Sequence, residues 1–268
     1  MTDIRSHFGF TTTPFPPEIP VKKRFKNEVF DVPLAQLEDT IADRMSAAVI
    51  SAAGTGKTML LRTLRSRLPE ARYRVHYVKT SNLAMRDMCR EICHATGCEL
   101  TGQYNALVRR IQERMLEYAD TSGVRPVIIV DDAHEMRPEV LGVLKVLSNF
   151  EMDSRLVVSF VLLGNKKLAK MLKRDVLEDV ARRLALYATL RNLTRDETRK
   201  YVVHRQSVAG AKSDLLTDDA HDAVYEIGGG NLRATDRLCL KSLQLATDEK
   251  SAAVDANHVA SARQMLWP

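Results

Sequence analysis

Apolar residues recur along this chain in two rhythms. Short, largely β-branched runs at 48–51, 73–78, 127–131, 156–163 and 186–190 read as strands, and segments near 33–45, 57–68, 83–96, 103–119, 138–148 and 166–174 between them read as helices. Such alternation predicts an α/β domain with a parallel sheet covered on both faces. After Leu193 the strands stop, and helical patterns alone occupy 196–209, 217–227, 232–247 and 256–265. Thr194 and Glu197 open the first of these with a capping signature, and Gly228-Gly229-Gly230-Asn231 separates the second from the third. The beginning of the chain follows neither rhythm. Thr11-Thr12-Thr13-Pro14-Phe15-Pro16-Pro17 is too proline-rich for a helix or a central strand, and Phe8, Phe10 and Phe15 predict an arm packed on the body. The expected organisation is an arm over 1–30, an α/β domain over 31–194 and a small helical domain over 195–268.

Composition narrows the class. A chain of 268 residues, 45% of them hydrophobic, suffices for one large or two small domains and is neither disordered nor fibrous. No apolar run approaches the roughly 20 residues that span a bilayer, and Met1-Thr2-Asp3-Ile4-Arg5-Ser6 lacks the apolar core of a leader. The expectation is a cytoplasmic protein without a membrane segment. The net charge of +6 is a mild excess, compatible with nucleic acid. Lys22, Lys23, Arg24 and Lys26 form one basic cluster, and Lys166, Lys167, Lys170, Lys173 and Arg174 another; each suits phosphates or a solvated face equally. Cys89, Cys93 and Cys98 share one helical stretch beside His94. Their spacing fits no standard zinc pattern, and Met85, Met88, Cys89, Ile92 and Cys93 repeat as an apolar stripe, so they are expected to be reduced core residues.

The chemistry begins where the first strand ends. Ala52-Ala53-Gly54-Thr55-Gly56-Lys57-Thr58 follows Ala47-Ala48-Val49-Ile50 and precedes Met59-Leu60-Leu61, so a strand feeds a glycine-rich turn that ends in Gly-Lys-Thr at a helix start. That is the P-loop, a cradle for nucleotide phosphates. Backbone amides converge on phosphate oxygens, the helix N-terminus adds partial positive charge, Lys57 reaches the outer phosphates, and Thr58 ligates Mg2+. Ser51 stands where the pattern G-x-x-x-x-G-K-[ST] has its first glycine, and it fits only if φ there is below zero. A second element supports the first: Val127-Ile128-Ile129-Val130 runs into Asp131 and Asp132 at a strand's C-terminal end, where ligands bind in open α/β sheets. Asp131 is expected to hold Mg2+ through water, with Asp132 beside it to polarise the attacking water. Many ATPases carry glutamate at that second position. An aspartate is one methylene shorter, so intrinsically slow hydrolysis is expected.

Five ordered elements then carry a family resemblance over nearly the whole chain: the P-loop, Asp131-Asp132, Leu163-Gly164-Asn165, Arg182-Arg183, and Gly229-Gly230-Asn231-Leu232-Arg233. Together they resemble the AAA+ ATPases, which implies a three-layer P-loop NTPase with a parallel sheet followed by a small all-α lid. Phe8-Gly9-Phe10 with Pro14-Phe15, Leu147-Ser148-Asn149-Phe150-Glu151, and Leu193-Thr194 with Glu197-Thr198, Tyr201, His204 and Arg205 look like the ExeA-type branch, similar to the transposition ATPases TniB, TnsC and MuB. The resemblance implies ATP as the nucleotide and Asn165 as sensor 1, orienting water between Asp131 and the terminal phosphate. It implies Arg183, with Arg182 as the fallback, as a finger reaching a neighbouring subunit's nucleotide. It implies Arg233 as sensor 2, swinging with the lid onto the phosphates.

The partners follow from the same resemblance. It points to a homo-oligomer, ring or filament, on duplex DNA that recruits or activates a transposase. In related transposition ATPases the DNA-facing side chains come from the region between the second strand and the magnesium strand, here loosely Lys79, Arg86, Arg109 and Arg110. The secretion-linked members carry a peptidoglycan-binding or membrane segment, nothing after the lid resembles one, and that shifts the expectation toward DNA. Two alternatives stay open: an ExeA-like ATPase of envelope or secretion assembly, and a nucleotide-gated scaffold with little turnover.

Overall fold

The computed structural model describes residues 3–79 and 82–267. Strands β1 (Ser46–Ser51), β2 (Tyr73–Lys79), β3 (Arg125–Asp131), β4 (Ser159–Gly164) and β5 (Leu184–Leu190) form one sheet in the order β2-β3-β4-β1-β5. All four pairings are parallel. The helices of this half are α2 (Glu28–Ala42), α3 (Lys57–Arg67), α4 (Met85–Thr96), α5 (Tyr104–Leu116), α6 (Pro138–Leu141), α7 (Val143–Leu147), α8 (Lys166–Met171) and α9 (Glu178–Ala181), after a short α1 (Ile4–Phe8) in the arm. Then come α10 (Arg195–Ala209), α11 (Asp218–Gly228), α12 (Leu232–Asp248) and α13 (Ala256–Leu266). The expected three-layer α/β P-loop fold with a helical C-terminal region is the one observed.

Two compact units emerge. One comprises residues 30–53 and 60–190; the other comprises 1–29, 54–59 and 191–268. The sheet unit is built on strands buried on both faces, which is why β3 and β4 read as unbroken apolar runs rather than alternating ones. Ile128, Leu162, Met88, Ile92, Leu107 and Ile111 are fully buried in its core. The edge strand β2 alternates instead, with Val78 buried and Tyr77 and Lys79 exposed. In the helical unit, Phe10 and Phe15 of the arm are buried with Val202, Val224, Leu238 and Leu243, and Phe8 packs beside them.

Local differences from the sequence reading have physical causes. Helix α2 starts five residues before Pro33, because the Asn27 side chain accepts a hydrogen bond from the Val29 amide and Val29 and Phe30 are buried there. Strand β4 begins only at Ser159, whose pairing partner is Val127. The helix expected at 138–148 is broken at Gly142 into α6 and α7.

Candidate nucleotide site

The parallel sheet brings Ser51, Asp131 and Asn165 to one end. Each stands at or directly after the C-terminal end of a strand, β1, β3 and β4 respectively, and these strands are neighbours in the sheet. Ser51 is extended, with φ below zero, so the serine sits where glycine is common without backbone strain. Its hydroxyl is buried and has no hydrogen-bond partner among the described residues. A buried unsatisfied hydroxyl is costly, and at the first position of a P-loop it fits a bound polar group.

Asp131 is held in a defined pose. Its Oδ2 accepts a hydrogen bond from the Tyr77 hydroxyl at 2.9 Å, and its Oδ1 accepts one from the Asp132 amide at 2.9 Å. Tyr77 reaches it because β2 and β3 are neighbours, with Lys79 in register with Asp131. Burial, and then the hydrogen bond to Asp131, pushes the Tyr77 phenol well above its ordinary pKa, so it remains a donor. Nothing in the motif reading pointed to Tyr77; its place two residues before the end of β2 is the only signal it leaves. Asp132 is left-handed, φ 54° and ψ 32°, a conformation Asp tolerates better than most residues, and one of its oxygens lies 3.9 Å from His134 Nδ1.

Asn165 caps α8, its Oδ1 accepting from the Lys167 amide at 2.8 Å. Arg183 lies at the opposite end of the sheet. It directly precedes β5, whose first residue Leu184 is in register with Ser46, while Ser51 is in register with Leu190. Six residues of strand at about 3.3 Å each separate those ends by roughly 17 Å or more. The Arg183 guanidinium makes a two-pronged ion pair with Asp153, 2.6 Å on one prong, which lowers the Asp153 pKa. Arg182 pairs with Glu178 at 2.5 Å and is largely exposed. Asp153 closes a run of three left-handed non-glycine residues, Glu151, Met152 and Asp153, and no local sequence pattern signalled its pairing with Arg183.

The remainder of the P-loop belongs to the helical unit. Gly54 has φ +81°, and a Cβ there would lie 2.4 Å from Asn231 Oδ1, so this position demands glycine twice over. Asn231 caps α12 by accepting from the Ala234 amide, and the Arg233 amide donates to the Gly54 carbonyl at 3.3 Å. The side chain of Arg233 is exposed, Thr55 is buried, and Thr58 is exposed in the first turn of α3. Gly230 touches the chain preceding α10 so closely that a Cβ would fall 1.9 Å from the Leu193 carbonyl oxygen. The P-loop and the start of α12 are thus fastened together by backbone contacts.

The four basic residues between β2 and β3 do not form one surface of free cations. Arg86 donates to the Gly102 carbonyl at 3.2 Å, and Arg110 pairs with Glu99 at 3.2 Å, so both are spent on the turn before α5. Lys79 is exposed at the sheet's C-terminal end, beside Asp131. Arg109 is exposed on α5 without a partner among the described residues.

Comparison with known proteins agrees with this geometry. Residues 41–172 match the family model described as AAA domain. The chain is similar to general secretion pathway protein A of Aeromonas hydrophila, 28% identical over 239 residues that cover 88% of this chain and 43% of that protein. It therefore spans less than half the length of that curated relative. Among solved structures it resembles Cdc6p from Pyrobaculum aerophilum, with TM-score 0.72, 16% identity, and 99% of this chain and 71% of that one covered. It also resembles the Aeropyrum pernix ORC1 protein in complex with DNA, with TM-score 0.68, 18% identity, and coverage of 94% and 68%. At such identities the likeness is one of fold. Among the described residues no helix is long and apolar enough to cross a membrane.

Proposed function

From an AAA-type P-loop domain as premise, we propose that this chain is a cytoplasmic ATPase that binds ATP and Mg2+, assembles with further copies on duplex DNA, and regulates transposition by recruiting or activating a transposase. The observation that carries the reading is the placement of Arg183. An arginine at the N-terminal end of β5 is remote from the strand ends that carry Ser51, Asp131 and Asn165. It suits the nucleotide of a neighbouring copy, where an arginine supplied in trans contributes as much as 10³–10⁵ in rate in phosphoryl transfer.

The donor set fits Mg-ATP. Gly54 and Gly56 are left-handed within the P-loop, the Ser51 hydroxyl awaits a partner, and Asp131 presents a carboxylate already oriented by Tyr77. In this reading Ser51, Ala52, Ala53, Gly54, Thr55 and Gly56 hold the phosphates, Lys57 balances the charge of the outer ones, and Thr58 and Asp131 hold Mg2+. Mg2+ neutralises charge that develops on the phosphates. Asp132 and Asn165 orient water, and Arg233 closes on the phosphates in cis. Arg109 and Lys79 meet DNA phosphates through their exposed ammonium and guanidinium groups; Arg86 and Arg110 contribute by fixing the turn between α4 and α5.

The test is assembly. ATP or a slowly hydrolysed analogue is expected to produce oligomers on duplex DNA in a sizing or light-scattering experiment, with affinity falling steeply as salt rises. Lys57→Ala and Arg183→Ala are each expected to abolish them. Undiminished assembly in both variants overturns the reading. Hydrolysis adds a second prediction: Asp132→Glu is expected to raise the single-turnover rate of the isolated protein, and a fast rate that the substitution leaves unchanged removes the idea of a slow timer.

The similarity to the Aeromonas secretion protein favours a second reading, an ATPase of envelope or secretion assembly whose partner is a protein. A DNA titration with and without ATP separates the two. No nucleotide-dependent DNA binding selects the secretion reading. Phosphate release stimulated by DNA excludes a scaffold without turnover.

A further inference from the structure

The cysteines that the nucleotide chemistry leaves unused form a cluster of their own. Cys89 and Cys93 are fully buried on α4, whereas Cys98, just past the helix end, is half-buried. Gly97 ends α4 in a left-handed conformation, φ 74°, and the Cys98 amide donates to the Cys93 carbonyl at 2.8 Å. This helix-ending turn folds Cys98 back onto the last turn of α4 and puts its sulfur in hydrogen-bond contact with the Cys93 thiol.

Several groups face the pair. Thr96 Oγ1 lies 3.3 Å from Cys98 Sγ, the Arg114 guanidinium of α5 hydrogen-bonds to it, and the Arg110 carbonyl is 3.8 Å away. Arg114 is tied to Glu117 at 2.8 Å and stacks over Tyr118, Arg110 is tied to Glu99, and Cys89 stands behind Cys93. The two sulfurs are unequal. Hydrogen bonds from the Cys93 thiol, from Thr96 and from Arg114 lower the Cys98 pKa. Contact with Cys98, and burial, raise that of Cys93, which keeps its proton. A cation-supported, partly exposed sulfur beside a protonated, buried one is the arrangement of an attacking and a resolving thiol. Among the described residues no group of three or more His, Cys, Asp or Glu side chains could hold a metal ion there.

We propose that Cys93 and Cys98 are a hydroperoxide-reactive dithiol in which Cys98 attacks, Cys93 resolves, and an intramolecular disulfide closes across the end of α4. The Cys98 thiolate attacks one oxygen of the hydroperoxide. An S–O bond forms, the O–O bond breaks, and the departing alkoxide or hydroxide takes up the proton Cys98 had released. Cys98 becomes a sulfenic acid and the peroxide is reduced by two electrons. The Cys93 sulfur then attacks the Cys98 sulfur: the S–S bond forms, the S–O bond breaks, and the hydroxyl leaves with the Cys93 proton as water. Two thiols and one hydroperoxide thus give one disulfide, one alcohol or water, and one water.

The decisive experiment uses the intact, reduced chain and one equivalent of hydrogen peroxide, followed by N-ethylmaleimide and trypsin. Glu91 to Arg109 is a single tryptic peptide containing both sulfurs. In the wild type it is expected to become lighter by two hydrogens and to escape alkylation, whereas C98S shows neither change. In C93S, dimedone is expected to trap a sulfenic acid at Cys98. Absence of the two-hydrogen loss in the wild type overturns the proposal. Cys93 is fully buried, and its variant can fail to fold, so a second measurement on the native wild type decides which sulfur attacks. An ordinary thiol with pKa about 8.5 slows about tenfold per pH unit below it. Alkylation of Cys98 by iodoacetamide is expected to change less than about twofold between about pH 8 and pH 6.5, with Arg114→Gln restoring the steep slope. An ordinary slope in the wild type overturns the assignment of Cys98 as the attacking sulfur.

Discussion

The sheet unit and the helical unit are held together by different chemistry. In the sheet unit the strand centres are apolar and buried on both faces, and the charged side chains of the candidate site lie at the strand ends. In the helical unit a charged network lies inside. Arg205 is 4% exposed, and its guanidinium donates to the Pro16 carbonyl at 2.6 Å and to the Tyr201 hydroxyl at 3.2 Å. It lies 3.4 Å from Asp236 and over the rings of Phe15 and Tyr201. The Tyr201 hydroxyl donates to Asp236 at 2.9 Å. One side chain therefore joins the arm to α10 and α12. A unit that carries the P-loop turn but has a small apolar core gains a defined arrangement from polar contacts, and it is correspondingly vulnerable to losing one partner.

Removing the centre of that network is the largest perturbation. Arg205→Ala strands the Asp236 carboxylate in a buried site and frees the Pro16 carbonyl. Breaking one side of a buried pair costs about 3–5 kcal/mol. Hydrogen exchange is expected to show the loss in α10, α12 and the arm. If Arg205→Ala together with Asp236→Leu recovers most of the stability, the cost lies in the stranded charge. If it recovers none, the network is held by packing of the guanidinium on Phe15 and Tyr201, and the contrast between the units weakens.

Acidity probes the same group without mutation. Burial raises the Asp236 carboxyl to about 6, opposed by Arg205 and the Tyr201 hydrogen bond. The folded state therefore holds a proton that the unfolded chain, with an ordinary carboxyl pKa near 3.9, has released. This contribution to stability is fully present below about pH 4 and is lost as pH rises through about 6, on the order of 2 kcal/mol. Glu197 runs the other way. The ion pair with Arg191 and the capping contacts with Thr194 bring it down to about 2, so its contribution exists above the unfolded value near 4.3 and fades as pH falls toward 2. The difference between wild type and Asp236→Asn isolates the first effect in denaturant titrations across pH 4 to 7. A flat difference curve removes it.

The same contrast explains what could be read from the chain alone. The five strands, the P-loop at the end of β1, the Asp131-Asp132 strand end and the capping box at Thr194 are set by residues adjacent in sequence, where period, turn residues and caps act locally. Tyr77 on Asp131, Asp153 on Arg183 and Pro16 on Arg205 join residues 54, 30 and 189 positions apart. Such partners depend on strand order and helix packing, which no local pattern encodes. Gly54 shows the boundary between the two cases: its motif marked it as a turn glycine, but only the fold shows Asn231 occupying the space where a side chain would stand.

The smallest predicted effect tests the sheet side of the comparison. Ile128 is fully buried in β3, in register with His76 of β2 and Phe160 of β4, and its side chain belongs to the main apolar core. Ile128→Val removes one methyl group and leaves no polar partner stranded, so the cost is the transfer and cavity terms alone, about 0.5–1.5 kcal/mol. Urea unfolding is expected to shift its midpoint with an unchanged slope, since the surface exposed on unfolding hardly changes. A loss as large as that of Arg205→Ala contradicts a sheet held by close packing with partial relaxation around a small void. A loss near zero means the β3 core already contains slack, and the sheet then tolerates more than its complete burial implies.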